Sequence, residues 1–388
     1  MANPIFASLP TTIFEEMSGL ARELGAVNLG QGFPDSPGPE AIRAKAADAV
    51  LNGYNQYPPM AGLAELRQAV ARHYGRTQGL DLDWAEEVTV TSGATEALAA
   101  AFLGLIRPGD EVVVFQPLYD AYLPLIRRAG GVPRLITLSP PDWRFTREML
   151  EAAFTAKTRF VVLNNPINPT GTVMAEADLA LLAEFCVAHD AVAICDEVWE
   201  QVVFDQARHR PLMAFPGMRE RCVKIGSAGK MFGLTGWKVG FLCAAPRLTR
   251  ALSRTHQFLT FTTPPNLQAA IAFGLDTPGD WFEAMPRALQ ASRDRLAEGL
   301  RSEGFVPLPT QGTYFLNLDL PASGVDEPDR AFAFRAVKEA GVATIPVSAL
   351  YEQDPVTTIL RLCLAKEDAT LDAGVERLAK ARDLSRRR

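Results

Sequence analysis

Cysteine and histidine are both scarce in this sequence of 388 residues, which holds five cysteines and four histidines. The cysteines lie far apart and form no C-x-x-C pair, so the ligand spacing of a zinc site is missing and we expect no metal centre. Cys195, Cys222 and Cys243 stand inside apolar runs, where a buried and reduced thiol is the usual state.

Long apolar runs are missing as well. No run reaches the length that crosses a membrane, and Phe14-Glu15-Glu16 interrupts any apolar stretch that could serve as a secretory signal. Positive charge is in deficit, with 39 Lys and Arg against 45 Asp and Glu and a net charge of −6. A mildly acidic surface argues against nucleic acid or an anionic membrane as the main partner. We therefore expect a cytoplasmic protein that binds neither.

What the sequence does contain is an ordinary globular balance of 48% hydrophobic and 22% charged residues, in a chain longer than one typical domain. Between residues 85 and 244, short apolar runs alternate with helical patterns, which predicts an α/β fold with a mostly parallel sheet and helices on both faces. The predicted strands are Glu111–Gln116, Arg134–Thr137, Arg159–Leu163, Val192–Asp196, Val223–Gly226 and Val239–Cys243. The helical patterns between them include Thr95–Ile106, Tyr119–Arg128 and Ala175–His189.

After about residue 277 the pattern changes and predicts a smaller, compact α/β lobe. Its predicted elements are the helix Ala291–Ser302, the strand Thr313–Leu318, the helix Ala331–Ala340, two short strands and the helix Ala369–Ala381. The N-terminal residues contain one short amphipathic helix and turns marked by proline. We interpret residues 1–27 as an arm that packs on this lobe or on a neighbouring subunit, residues 28–276 as the large domain and residues 277–388 as the small one.

The first chemical signal is a lysine that closely follows an apolar strand. Lys230 lies in the segment Ser227–Gly240, which contains four glycines. Desolvation lowers the pKa of a lysine and leaves a neutral, nucleophilic amine, and glycine lets the backbone approach a ligand closely. Taken alone, the segment is better explained by an exposed loop lysine, so its meaning depends on the residues that follow the other strands.

Polar side chains stand at or just after other apolar strands. Asp196 closes one, where a carboxylate is costly without a cationic partner; the ring nitrogen of a pyridine cofactor and a helix N-cap are equally good explanations. Asn168 lies in a turn held by two prolines and a glycine, which either aims its amide at the sheet edge or is a plain turn. Arg361 has apolar neighbours on both sides and needs an anion, either a substrate carboxylate or a structural partner.

A helix start completes the set. Thr91–Thr95 precede a helix rich in alanine, and free N–H groups with the helix dipole make such a junction a phosphate cradle, although many helices begin this way. Two other phosphate motifs fail on spacing. Residues 226–231 lack the gap and the Ser/Thr of a nucleotide P-loop, and no G-x-G-x-x-G follows a strand, so a dinucleotide fold is not supported.

Taken together and in this order, the segments resemble the class I and II aminotransferases of fold type I, which depend on pyridoxal 5′-phosphate (PLP). They are most similar to the branch that contains kynurenine aminotransferase, glutamine transaminase K and bacterial methionine aminotransferase. The resemblance covers nearly the whole chain, from about Asn28 to Lys366. The segments that carry it are Asn28–Asp35, Asn55–Tyr57, Asn168–Gly171, Asp196–Val198, Ser227–Lys230 and Gly236–Gly240.

The resemblance implies roles around the cofactor ring. Lys230 would hold PLP as a Schiff base and then move the proton between the substrate Cα and the cofactor. Asp196 would pair with the pyridine nitrogen, Asn168 would bind the phenolic oxygen, and Tyr119 would stack on the ring. Trp199 stands where relatives usually place a tyrosine that donates to the phenolic oxygen. An indole N–H can donate as well, but it has neither the acidity nor the reach of a phenol.

The resemblance also implies how the phosphate and the substrate would be held. The phosphate ligands would be Ser227, Lys238 and the backbone of Ala94 and Thr95. Tyr57 would reach the phosphate across a subunit interface, so a homodimer with shared active sites is implied. Arg361 would bind the substrate α-carboxylate, helped by Asn168 and the backbone of Gly30. Phe261 and Thr262 would lie near the substrate side chain, with Thr262 where the kynurenine and glutamine enzymes carry histidine.

The reaction so implied moves an amino group from an L-amino acid to a 2-oxo acid in a ping-pong cycle. Apolar, aromatic, sulfur-containing and glutamine-like donors all remain open. One alternative on the same fold is a cysteine-conjugate β-lyase. Another is a PLP-binding regulatory protein without turnover; such proteins usually carry an added DNA-binding domain, for which we expect the short N-terminus to leave no room.

Overall fold

A computed structural model describes residues 3–386 of the chain. The strands are β1 (Val27–Asn28), β2 (Val88–Thr91), β3 (Glu111–Gln116), β4 (Val132–Thr137), β5 (Thr158–Asn164), β6 (Val192–Asp196), β7 (Cys222–Ser227), β8 (Gly240–Ala244), β9 (Val306–Pro307), β10 (Phe315–Asp319), β11 (Val342–Ala343), β12 (Ile345–Pro346) and β13 (Ile359–Cys363). The α-helices are α1 (Pro4–Ala7), α2 (Ile13–Leu24), α3 (Glu40–Asn52), α4 (Ala64–Gln78), α5 (Trp84–Glu87), α6 (Ala94–Leu105), α7 (Tyr122–Arg128), α8 (Arg147–Ala153), α9 (Glu176–Ala188), α10 (Ala228–Met231), α11 (Pro246–Leu259), α12 (Pro265–Asp276), α13 (Trp281–Ser302), α14 (Asp329–Arg335) and α15 (Asp368–Arg386). None of the described helices combines the length and the hydropathy that a membrane crossing requires.

The central sheet has seven strands in the order β2-β8-β7-β6-β5-β3-β4. Strands from β7 to β4 are parallel to their neighbours, whereas β8 is antiparallel to both β7 and β2. Hydrophobic clusters pack on both faces, and strands covered in this way have almost continuously apolar sequences. The prediction of an α/β fold with a mostly parallel sheet is confirmed.

The six strands predicted between residues 85 and 244 all lie in this sheet, with ends that differ by no more than two residues. The sequence analysis missed β2, because its Val-Thr alternation has a half-polar pattern. Its threonines are nevertheless buried, and their hydroxyls find partners: Thr89 pairs with Ser253 at 2.9 Å, and Thr91 donates to the Gly93 carbonyl at 3.1 Å. The helix predicted from Tyr119 begins three residues later, at Tyr122.

The register of the parallel strands brings their carboxyl ends together. Asn164 at the end of β5 lies opposite Asp196 at the end of β6, and Asp196 lies opposite Ile225 of β7. The turns that follow β5, β6 and β7 therefore open at the same edge of the sheet. This edge is where open parallel sheets usually bind their ligands.

A second sheet lies in the C-terminal part of the chain, with four antiparallel strands in the order β12-β13-β10-β9. It places Arg361 in the middle of β13, between Asn317 of β10 and Ile345 of β12. Helix α13 begins at Trp281, well before the predicted Ala291, because it continues through Pro286, a residue type that usually ends a helix. The division of the chain at residues 27 and 276 stays a proposal.

The N-terminal residues form two helices, α1 and α2, rather than the one that was predicted. Helix α2 begins after Thr12, whose hydroxyl accepts the Glu15 N–H at 3.3 Å, and ends at Gly25 with a φ of 58°. Next to it, β1 pairs in parallel with β11. These contacts dock the N-terminal segment on the C-terminal one and bring α2 close to the carboxyl edge of the central sheet.

Candidate active site

A cavity of about 290 Å³ opens at this edge of the sheet. Most of the site residues predicted from the sequence line it: Ala94, Thr95, Tyr119, Asn168, Asp196, Trp199, Ser227, Lys230, Lys238 and Arg361. Four predicted residues do not line it, namely Gly30, Tyr57, Phe261 and Thr262. Gly30 still touches the site, because its carbonyl oxygen accepts a hydrogen bond from Arg361 at 2.7 Å.

Lys230 reaches the cavity from α10, the one-turn helix that follows β7. Its Nζ donates to the carbonyl oxygen of Gly32 at 3.3 Å, and the hydroxyl of Tyr314 donates to the Lys230 carbonyl at 3.0 Å. Burial lowers the pKa of Lys230 to about 8, and the nearby cations Arg361 and Lys238 act in the same direction. A substantial part of this amine is therefore neutral, and nucleophilic, near pH 8.

Asp196 ends β6 and is 5% exposed. Its Oδ2 accepts a hydrogen bond from the Tyr122 hydroxyl at 2.5 Å, whereas its Oδ1 is buried and has no partner among the described residues. Burial raises the pKa of Asp196 to about 6, although the Tyr122 hydrogen bond lowers it. A buried acceptor without a donor is costly, so Oδ1 is suited to accept a hydrogen bond from a group that binds in the cavity.

Asn164 ties the turn after β5 to the end of β6. Its side-chain N–H donates to the Asp196 carbonyl at 2.9 Å, and its side-chain oxygen accepts the backbone N–H of Asn168 at 2.7 Å. Asn168 in turn accepts a hydrogen bond from Arg361 Nη1 at 3.0 Å on its side-chain oxygen. The turn is therefore held rigidly, and it connects the Asp196 end of the cavity with the Arg361 end.

Arg361 is 2% exposed although it carries a charge. Its guanidinium carbon lies 3.9 Å from the ring centroid of Phe315 and 4.9 Å from that of Phe14. Burial lowers the pKa of Arg361 to about 10, and its Nε is buried without an acceptor in the part of the chain that the structure describes. A buried guanidinium held in this way is suited to a planar anion such as a carboxylate.

The start of α6 and Lys238 line a further part of the cavity. Gly93 precedes α6 with a φ of 78°, and the first N–H groups of a helix have no partner within it. A Cβ at Gly93 would lie 3.2 Å from Lys238 Nζ, and one at Gly240 would lie 2.8 Å from the Ala94 nitrogen. Glycine at both positions thus lets the helix start and the lysine approach each other closely, which suits a phosphate group.

Trp199 follows Asp196 in the turn after β6 and is 3% exposed. Its ring centroid lies 4.6 Å from Lys230 Nζ. The ring packs edge-on against Tyr314 at 4.7 Å and against Phe315 at 5.5 Å. Trp199 therefore lines the cavity through its ring and contacts the residues that flank both Lys230 and Arg361.

Tyr57 and Phe261 lie together on the surface, away from this cavity. Their rings meet edge-on at 5.4 Å, and they are 78% and 41% exposed. Other exposed apolar side chains come from the same two chain segments, namely Leu51, Tyr54, Phe258 and Leu259. Exposed apolar groups of this size are typical of an interaction surface.

Several residues that line or support the site were not predicted from the sequence, among them Phe14, Tyr122, Asn164, Tyr314 and Phe315. Tyr122 and Asn164 stand within segments that had been singled out, but nothing local distinguishes a supporting hydroxyl or amide from its neighbours. Phe14 comes from a helix far away in sequence, and no local pattern indicates that it lines the cavity beside Arg361.

A second polar cluster lies behind the site. The ammonium group of Lys224 donates to Glu197 and, at 2.5 Å, to Glu200, and all three side chains are buried. Together with His209, the two carboxylates could hold a metal ion by geometry. Lys224 already supplies the positive charge between them and keeps the pKa of Glu197 far below its usual range, at about 2, so the cluster has the character of a buried ion pair.

PLP is a pyridine ring with an aldehyde, a phenolic oxygen and a phosphate, and the cavity offers a complement to each of its charged ends. Asp196 Oδ1 lacks a donor where a protonated ring nitrogen would supply one. The helix start beside Lys238 suits the phosphate. Lys230 lines the same cavity with a partly neutral amine, which the aldehyde requires. The residues present therefore fit this cofactor.

Comparison with known proteins gives one consistent result. The family model described as aminotransferase class I and II matches residues 25–378. The structure of N-succinyldiaminopimelate aminotransferase from Mycobacterium tuberculosis superimposes with a TM-score of 0.95 at 42% identity, covering 98% of this chain and 100% of that one. A methionine aminotransferase from Escherichia coli gives a TM-score of 0.94 at 39% identity, with 98% and 99% covered. Human kynurenine–oxoglutarate transaminase 1 is 36% identical, with 94% of each chain covered.

Proposed function

The chain belongs to the aminotransferase class I and II family, and we propose that it moves an amino group from an L-amino acid to a 2-oxo acid in a ping-pong cycle. Its family membership makes it a fold type I, PLP-dependent aminotransferase, which confirms the fold, the enzyme class and the cofactor predicted from the sequence. The observation that best supports the proposed reaction is the partly neutral amine of Lys230, in one cavity with the unpaired Oδ1 of Asp196.

In this proposal Lys230 acts twice. Its neutral Nζ would hold the cofactor aldehyde, and once the substrate amine has freed it, the same nitrogen would take the proton from the substrate Cα. When bound, PLP supplies a protonated ring that accepts electron density from Cα. Lys230 would then give the proton back on the cofactor side, so a single nitrogen would carry it over a short distance.

The other residues hold the cofactor and keep its ring protonated. We assign Asp196 Oδ1 to the ring N–H, an ion pair that the Tyr122 hydrogen bond supports by favouring the carboxylate. Asn168 would bind the phenolic oxygen, and Tyr119, which lines the cavity, would stack on the ring. The phosphate would be held by Ser227, Lys238 and the backbone of Ala94 and Thr95.

Arg361 would bind the α-carboxylate of the substrate. Asn168 and the Gly30 carbonyl hold two of its nitrogens, and the rings of Phe14 and Phe315 cover its guanidinium group. A guanidinium group fixed in this way binds a carboxylate without first losing conformational freedom.

The described lining favours a donor with an uncharged side chain. Its cations are Lys230, Lys238 and Arg361, each of which already has a role, and its remaining surface includes Phe14, Leu98 and Phe315. A methionine-like or aromatic donor therefore fits better than one with a second anionic group. The likeness to an N-succinyldiaminopimelate aminotransferase supports a second candidate, a donor with a distant carboxylate.

We further propose a homodimer with shared active sites. Tyr57 and Phe261 form an exposed aromatic pair that does not line the Lys230 cavity of its own chain. In a symmetric dimer this surface can reach the partner's site, where Tyr57 would bind the phosphate and Phe261 and Thr262 would approach the substrate side chain. The cytoplasmic location stays a prediction from the sequence.

A matrix of amino donors against 2-oxo acid acceptors tests this function. Methionine, phenylalanine, kynurenine, glutamine and N-succinyldiaminopimelate should be tried with 2-oxoglutarate and with pyruvate. We expect the new amino acid to appear only when both donor and acceptor are present, and fastest with an uncharged donor. Release of pyruvate and ammonia from a cysteine conjugate without any acceptor would instead identify the β-lyase, and no turnover with any pair would contradict the proposal.

A further inference from the structure

The indole of Trp199 turns its face, rather than an edge, toward the amine of Lys230. The distance from Nζ to the ring centroid is 4.6 Å, within the range at which a cation is attracted to an aromatic face. Tryptophan gives the strongest attraction of this kind among the aromatic residues. Since the side chain is 3% exposed, little water is available to weaken the contact.

The orientation of this ring is fixed by its neighbours. Tyr314 and Phe315 meet the Trp199 ring edge-on, at interplanar angles of 76° and 74°. Tyr314 also donates its hydroxyl hydrogen to the carbonyl of Lys230. Tyr314 thus contacts both the indole and the backbone of Lys230, and it holds the two residues in a fixed relative position.

The titratable groups around the Lys230 amine act in both directions on its ammonium form, so a contact with an aromatic face can add to its stability. The groups that face the amine are Asp196 on β6, Arg361 and Cys363 on β13, and Lys238. Burial, Arg361 and Lys238 all disfavour the ammonium form, whereas Cys363 and Asp196 favour it. Asp196 is also bound by Tyr122. Of the two aromatic rings within reach of the amine, the indole is the nearer, since the Tyr314 ring centroid lies 5.7 Å from Nζ.

We propose that Trp199 is a positioning residue that stabilises the charged form of the Lys230 nitrogen through the face of its indole ring. This inference rests on the proposed function only in taking Lys230 as the amine that binds PLP. It differs from the role expected from the sequence, in which the indole N–H would donate to the phenolic oxygen. The two roles depend on different parts of the same side chain and can therefore be separated by substitution.

The experiment compares Trp199→Phe, which keeps an aromatic face but has no N–H, with Trp199→Leu and Trp199→Met, which have neither. Two quantities are measured on the full chain: the pH dependence of the rate at which the cofactor-free protein takes up PLP, and the pH titration of the visible spectrum of the holoenzyme. We expect both midpoints to fall by about one pH unit in the Leu and Met variants. Trp199→Phe should shift them by much less.

Trp84→Leu is the matched control, because Arg67 lies 5.3 Å over the Trp84 ring at a site that does not line the cavity. It should leave both midpoints unchanged. A shift in Trp199→Phe as large as in Trp199→Leu would overturn the proposal in favour of the N–H donor, and so would unchanged midpoints in every Trp199 variant. Uptake of PLP by Lys230→Ala with an unaltered pH dependence would instead overturn the proposed function.

Discussion

The hydroxyl of Tyr122 donates to Asp196 Oδ2 at 2.5 Å, while Oδ1 of the same carboxyl is buried and accepts no hydrogen bond from residues 3–386. The two oxygens thus have separate tasks. One fixes the carboxyl and lowers its pKa, and the other is left for the ring nitrogen of PLP. Burial by itself raises the pKa of Asp196 and favours the neutral acid. The hydrogen bond from Tyr122 opposes this effect and helps to keep the carboxylate charged for its ion pair with the ring nitrogen.

Tyr122→Phe should weaken PLP binding by about tenfold, the effect of losing one hydrogen bond to a charged group. Without the hydroxyl the pKa of Asp196 rises, so the acid limb of the affinity profile should move to higher pH. The measurement is the dissociation constant of PLP from pH 5 to 8.

Tyr74→Phe is the matched control, because its hydroxyl donates to Glu200 at 2.7 Å in the buried cluster behind the site. We expect it to reduce the stability of the protein without moving the PLP affinity profile. Equal loss of PLP affinity in both variants would show that Tyr122 acts only through the fold.

Asp196→Asn should make the cofactor-free protein more stable above pH 6. The pKa of Asp196 rises from 3.8 to about 6 on folding, so its ionisation opposes folding by about 3 kcal/mol at neutral pH. This loss of stability is complete above the pKa of Asp196 in the folded protein and disappears below its pKa in the unfolded chain. An asparagine at this position does not ionise and therefore has no such effect. Urea unfolding of the cofactor-free proteins at pH 7.5 and at pH 4 measures the difference in stability, which should fall to about a fifth at pH 4.

Arg361→Lys should lower kcat/KM for amino acids by about 100- to 1000-fold, since a lysine cannot bind a carboxylate with two parallel hydrogen bonds. The spectrum of bound PLP should stay unchanged. Single-turnover rates are measured with an amino acid and with the matching amine that lacks the carboxylate. They separate a loss of carboxylate binding, which affects only the amino acid, from a general loss of activity, which affects both. An equal loss with the amine would rule out the assigned carboxylate contact.

The strands and the residues at their ends were predictable because both follow local rules. A buried parallel strand has an apolar run, and Asp196 and Lys230 stand out as charged residues at or just after such runs. The strand β2 was missed because its threonines are buried, with the Thr89 hydroxyl bonded to the distant Ser253 and that of Thr91 to the nearby Gly93 carbonyl. The sequence pattern there is that of a half-exposed segment.

The support of the site could not be predicted in the same way. Phe14 reaches Arg361 because α2 docks on the C-terminal part of the chain, and this docking is a long-range contact without a local signal. The orientation of Trp199 also depends on distant residues. The rings that contact it are those of Phe315, the first residue of β10, and of Tyr314 just before that strand.

Mixed dimers test the shared site. Neither Lys230→Ala nor Tyr57→Ala should be active at low PLP concentration, but dissociation and reassociation of an equimolar mixture should restore activity. A mixed dimer has both defects in one site and none in the other, so about a quarter of all sites should be intact. No recovery, with subunit exchange shown by mass spectrometry, would contradict a Tyr57 contact across the interface.

The central claim is that Lys230 holds the cofactor, and borohydride reduction followed by peptide mass spectrometry tests it most directly. Reduction makes the link between the amine and PLP permanent, so the peptide that contains Lys230 should gain the mass of the reduced cofactor. Lys230→Ala should lose both this mass and the pH-dependent visible band. Cofactor attached to Lys238 or Lys224 in the unmodified chain, or to no lysine, would contradict the account.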